Sequence, residues 1–84
     1  MRVAVPIVLT PDEQTTLERW ARGRRTPARL VLRARIVLQA AAGQRNDEIA
    51  HDLATDRECV GRWRTRFAAH RLAGIAQDLS LIHI

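Results

Sequence analysis

The chain has 84 residues, 46% of them hydrophobic and 27% charged, with a formal net charge of +5 and an isoelectric point near 11.4. That length holds one small domain with a modest core and excludes a second independent one. All fourteen basic residues are arginine, Cys59 is the only cysteine, and no uninterrupted apolar run is long enough to span a bilayer. These features exclude a disulfide scaffold and a transmembrane protein, and they point to an anionic partner, nucleic acid ahead of membrane.

Residues 1–9 read as an extended leader. Val3, Val5, Ile7 and Leu9 alternate along it, but Pro6 keeps it out of a central strand, and the acids that follow make a signal peptide unexpected. The stretch "TPDE" is a helix start, with Thr10 as cap, Pro11 at the first helical position and Glu13 where a capping box places its carboxylate. A helix is predicted over 11–22, with Leu17, Trp20 and Ala21 on one face and Gly23 as its stop.

The start signal recurs at "RTPAR", where Thr26 is expected to cap a second helix over 27–42 that Gly43 ends. Leu30, Ala34, Val37, Leu38 and Ala41 form its stripe. Val31, Leu32 and Ile36 widen that stripe, leaving Arg29, Arg33, Arg35 and Gln39 as a narrow wet edge. It is therefore the expected central helix. A third helix is predicted over 47–54, opened by Asn46 with Asp47 and Glu48 in its first turn, and a fourth over 57–70, capped by Asp56. No strand pattern occurs between Thr10 and Arg71, so the fold class is all-α, a small helical bundle over residues 10–78.

Within "EIAHDLATDRECVGRW" the spacing becomes specific. Ile49, small Ala50 and Leu53 are followed across a short turn by Val60, Trp63 and Phe67, the arrangement that locks the second helix of a helix-turn-helix across the first. Ala54 holds the turn position where glycine is usual, and a left-handed conformation there costs about 1 kcal/mol. With Val60, Trp63 and Phe67 facing inward, Arg57, Glu58, Gly61, Arg62 and Thr65 remain on the outer face. Arg57, Glu58 and Arg62 are the expected base readers, since arginine pairs with two acceptors on guanine and glutamate accepts from the amino group of cytosine. Arg45, Arg64 and Arg66, with Arg24 and Arg25 of "ARGRR", are the expected phosphate contacts. Gly61 is expected to let the helix approach a groove floor closely.

His51, Cys59 and His70 match no zinc spacing, so no metal or other cofactor is expected. Most of the acids sit at helix starts, where capping explains them, and no nucleophile and base pair stands out. An enzymatic activity of this chain is not expected, nor is a small-molecule ligand.

The segments "RRTPARLVLRARIVL", "NDEIAHDLA", "VGRWRTRF" and "RLAGI" resemble the N-terminal region of bacterial insertion-sequence 630 family transposases, of the mariner-like superfamily; the likeness covers nearly all of residues 8–78. In that family the region is a helix-turn-helix that binds terminal inverted repeats, followed by an RNase H-like domain in which three acids hold two metal ions. The resemblance implies a homeodomain-like or winged-helix-like DNA-binding fold, a recognition helix over 56–67, duplex DNA as partner and a bacterial cytoplasmic location, at the nucleoid when bound. None of the catalytic acids has a counterpart here. The chain departs from the family at Ala54 and Thr55, where glycine and a β-branched residue are usual, and at "LSLIHI", where a basic linker is usual. Residues 79–84 can be reverse-translated into a tagmentation adapter, and are expected to be a non-native tail from adapter read-through.

The expected function is sequence-specific duplex binding as the end-binding fragment of a transposase. One module reads few base pairs, so a homodimer or the second half of the element's binding machinery would be needed for specificity. Two other readings stay open. One is a stand-alone helix-turn-helix regulator of transcription; the other is a helical module that binds a protein through its apolar second helix, with arginine serving solubility.

Overall fold

The computed structural model describes residues 6–76, and five helices make up the fold in the order α1 (Pro11–Ala21), α2 (Ala28–Ala41), α3 (Asn46–Leu53), α4 (Arg57–His70) and α5 (Leu72–Ala76). No strand occurs among the described residues. The fold class read from periodicity holds at that level. Residues 1–5 and 77–84, and with them the predicted adapter tail, lie outside the described residues.

The first helix starts as its capping signal dictates. The Thr10 hydroxyl accepts the Glu13 N–H at 3.1 Å, and Glu13 Oε1 accepts the Thr10 N–H at 3.0 Å, so two otherwise orphan donors are satisfied reciprocally. Ahead of it the leader keeps its alternation in residues 7–9: Ile7 is buried, Val8 is 78% exposed and Leu9 is half-buried against the core.

The second helix begins one residue later than predicted, and its cap differs. Thr26 Oγ1 donates to the Arg24 carbonyl at 3.1 Å instead of capping, and Pro27 becomes the residue from which the helix departs, its carbonyl accepting from Leu30 and Val31. Gly23 (φ 83°) and Gly43 (φ 96°) end α1 and α2 in the left-handed region that glycine enters without a Cβ clash. Between these stops α2 packs against each of the other four helices. Ala34, Ile36, Val37 and Ala40 are buried on it. Leu30, Leu32, Leu38 and Ala41 pack half-buried at the margins.

The core closes with Leu17 from α1, Ile49 and Ala50 from α3, Val60 and Phe67 from α4 and Ile75 from α5. Large side chains excluded from water in this way contribute about 1.5–3 kcal/mol each, the main favourable term in a domain this small.

The fifth helix has no counterpart in the sequence reading. At Arg71 the chain turns with φ 58° and ψ −142°, which ends α4 and folds α5 back on it. Gly74 permits the approach, since a Cβ there would lie 2.5 Å from the Arg66 carbonyl oxygen and 3.0 Å from His70 Cβ. Arginine side chains fasten the returning segment: Arg66 Nε donates to the Gly74 carbonyl at 2.8 Å and Arg33 Nη1 to the Ile75 carbonyl at 3.2 Å.

Candidate nucleic-acid interface

The third and fourth helices are joined by residues 54–56. Ala54 closes α3 with φ 57° and ψ 43°, the left-handed conformation that its place in the turn demands. The Thr55 N–H returns to the Ala50 carbonyl at 2.9 Å, satisfying a helix-end acceptor. Asp56 then accepts the Cys59 N–H at 2.7 Å on Oδ1, which caps α4 and fixes its first turn. Ile49, Ala50, Val60 and Phe67 are buried where α2, α3 and α4 meet, with Leu53 and Trp63 half-buried beside them.

That packing sorts the α4 side chains. Arg57, Glu58, Arg62 and Thr65 are exposed. Glu58 and Arg62 are one helical turn apart, so they share an outward face with Thr65. Gly61 is half-buried and does not belong to that face: a Cβ there would lie 3.4 Å from Asn46 Nδ2, so the position looks toward the start of α3. The expectation that Gly61 meets a groove floor is corrected by this neighbour.

Arg64 is a further correction. It is 5% exposed, and its Nη1 donates to the Gln44 carbonyl at 2.9 Å and to Asn46 Oδ1 at 3.1 Å, tying α4 to the α2–α3 connection. Burial lowers its guanidinium pKa from the ordinary value. The buried stripe of α4 is therefore Val60, Arg64 and Phe67, not Val60, Trp63 and Phe67. The predicted phosphate contact is an internal tie, because its guanidinium satisfies the half-buried Gln44 carbonyl in the α2–α3 connection.

Arg66 is drawn inward in the same way. Besides its bond to Gly74, its guanidinium lies 5.5 Å from the Trp63 ring centroid, and Arg33 covers the same ring at 3.9 Å. Of the remaining predicted phosphate contacts, Arg45 is exposed and pairs with exposed Asp47 at 3.3 Å, a geometry that water weakens. Arg24 and Arg25 are exposed in the α1–α2 turn, Arg25 with φ 56°.

Arg71, which the sequence reading assigned no role, joins the two ends of the described chain. Its Nη2 and Nε donate to Glu13 Oε1 and Oε2 at 2.6 and 2.9 Å, Nη2 also donates to the Val8 carbonyl, and the guanidinium lies 4.8 Å from the Phe67 ring centroid. Hydrogen bonding from Arg71 holds the Glu13 carboxyl below its ordinary range, and Glu13 in turn raises the Arg71 pKa. The signal for this pair was absent from local sequence, since 58 positions separate its members. His51 and His70 are exposed and Cys59 is half-buried.

No helix among the described residues is long and apolar enough to cross a membrane. Compared with known proteins, the chain matches no family model, no curated protein and no solved structure.

Proposed function

We propose that the chain is a duplex-DNA-binding unit in which α3 and α4 act as a helix-turn-helix and α4 enters the major groove. The observation that carries this reading is the α3–α4 junction. A left-handed Ala54 and a capping Asp56 join two short helices whose apolar sides are buried, leaving Arg57, Glu58 and Arg62 exposed from the first turn of α4 onward. The N-terminal part of a recognition helix is the part that reaches base edges, and these three side chains match acceptors on guanine and the amino donor on cytosine. The resemblance to transposase N-terminal regions supports the terminal inverted repeat of an insertion sequence as the target. Binding, and not strand cleavage, is the activity assigned to this chain.

The competing reading is capture of a protein by the apolar second helix, and salt-insensitive behaviour without duplex binding would favour it. Against it, Ala34, Ile36, Val37 and Ala40 of that helix are already buried within the bundle.

The test is fluorescence anisotropy with a labelled duplex selected from a random pool by the full chain, against a scrambled duplex, at several salt concentrations. Binding should weaken steeply as salt rises through counterion release. Arg62→Ala should reduce affinity for the selected duplex by about 1–3 kcal/mol and for the scrambled one by less. Equal losses on both would remove Arg62 from the base readers, and no enrichment of any duplex would refute the proposed function.

A further inference from the structure

The net charge is unevenly distributed, and burial sharpens the asymmetry. Between Arg19 and Arg45 the chain has eight arginines and no acid, whereas between Asn46 and Ala76 five arginines meet five acids. In that second segment all five acids, Asp47, Glu48, Asp52, Asp56 and Glu58, are exposed. Of its five arginines only Arg57 and Arg62 are exposed; Arg64 is buried, and Arg66 and Arg71 are held by Gly74, Glu13 and Val8. Arg45, at the start of α3, is paired with Asp47, so the water-facing surface of α3 and α4 carries no clear excess of positive charge. Alone it offers a phosphate lattice little net attraction, whatever its fit to base edges.

An acid-free cluster of exposed arginines lies elsewhere on the molecule, at the turn between α1 and α2. Arg19 and Arg22 at the end of α1, and Arg24 and Arg25 in the turn to α2, are all exposed, and none of the four pairs with an acid among the described residues. The corner is built, not loose. Arg35 donates Nε and Nη2 to the Ala21 carbonyl at 3.3 and 3.2 Å, Thr26 holds the Arg24 carbonyl, and the chain reverses through Gly23 and Arg25 at positive φ.

We propose that this α1–α2 corner is the principal backbone-binding surface for duplex nucleic acid, with Arg19, Arg22, Arg24 and Arg25 neutralising phosphates while α4 supplies discrimination. The inference rests on the duplex-binding reading and moves most of its affinity away from α4. Guanidinium groups are suited to the task, since each can donate two parallel hydrogen bonds to one phosphate. An anionic lipid surface is the weaker match. Helices that lie on membranes insert an apolar face, and the only large apolar side chain exposed among the described residues is Val8, which precedes α1 at the end opposite the corner.

The experiment compares the full chain with a corner variant (R22Q, R24Q and R25Q together) and a helix variant (R57Q and R62Q together). The readouts are anisotropy on a 20-base-pair random-sequence duplex from 50 to 200 mM NaCl and co-sedimentation with phosphatidylserine vesicles. Circular dichroism melts confirm that the exposed substitutions leave the fold intact, and an R19Q, R22Q pair replaces the triple if they do not.

The corner variant is expected to bind the duplex at least tenfold more weakly at low salt, with the log–log salt slope reduced by about 2–3 for three lost phosphate contacts. The helix variant should stay within about threefold of the parent chain on this random duplex, because base readers add little to non-specific binding. A corner variant that matches the parent in affinity and slope overturns the inference while leaving duplex binding by α4 standing. A parent chain that does not bind the duplex at 50 mM NaCl overturns both. Loss of vesicle binding without loss of duplex binding overturns it in favour of a membrane surface.

Discussion

Ala54→Gly should stabilise the protein. Ala54 is exposed and adopts φ 57°, ψ 43°, so its methyl group packs on nothing that would be missed, while its Cβ meets the backbone crowding of the left-handed region. That conformation costs an L-residue about 1–2 kcal/mol. Glycine removes the cost but gives the unfolded chain extra freedom worth about 0.4–1 kcal/mol, so a net gain of about 0.5–1 kcal/mol remains. For a domain of this size the melting temperature should rise by about 2–8 °C. Thermal melts at 222 nm, with urea titrations in which the midpoint rises at constant m-value, measure it. Ala54→Val should move the midpoint the other way, since a β-branched residue tolerates positive φ worse than alanine. A destabilised glycine variant would mean that residue 54 is not left-handed, and the turn on which the α3–α4 arrangement depends would have to be redrawn.

Three further predictions address the internal ties. Arg64→Ala should cost about 1–3 kcal/mol in urea unfolding, because it removes a buried charged donor from two half-buried acceptors. Were Arg64 a phosphate contact instead, stability would be unchanged and the salt slope of DNA binding would fall by about 1. Gly74→Ala should destabilise by about 1–3 kcal/mol despite the helix preference of alanine, since the new Cβ would collide with the Arg66 backbone; a gain in stability would contradict the close approach of α5.

Glu13 predicts an acid limb. Hydrogen bonding from Arg71 lowers its folded-state pKa below the ordinary 4.5, so its contribution to stability is complete above pH 4.5 and disappears as the pH falls through the folded value. Glu13→Gln should therefore lower stability at neutral pH and flatten the decline on acidification. A variant whose stability falls with acid as steeply as the parent's would place the titrating group elsewhere.

What the sequence reveals about this fold is mostly what local chemistry decides. Thr10, Pro11 and Glu13 form their capping box within four residues, and Asp56 caps α4 with no help from the rest of the chain, so both helix starts are readable. Thr26 offers the same signal, yet its hydroxyl satisfies the Arg24 carbonyl in a turn shaped by Gly23 and Arg25, and the cap is lost to that competition. The short α5 has no cap or long periodicity to announce it; it depends on Arg33 and Arg66 reaching its carbonyls from helices far earlier in the chain or on its flank.

The candidate interface divides in the same way. Exposure of Arg57, Glu58 and Arg62 follows from helical periodicity once Val60 and Phe67 face inward. The burial of Arg64 does not, because "RWRTRF" alternates arginine with apolar residues and periodicity puts an arginine on the wet side by default. The carbonyl of Gln44 and the side chain of Asn46, where α3 begins, help make an interior arginine favourable. The absence of acids from residues 19–45 is visible in the sequence. Its meaning emerges once packing has buried Arg64 and tied Arg66 and Arg71 to Gly74 and Glu13.

The most direct measurement is a two-dimensional amide NMR titration of the labelled chain with a short duplex. The account predicts saturable shifts concentrated in residues 57–62 and 22–25, with the buried amides of α2 unmoved and the whole response reversed by added salt. A titration in which the duplex leaves both of those segments unshifted would contradict it.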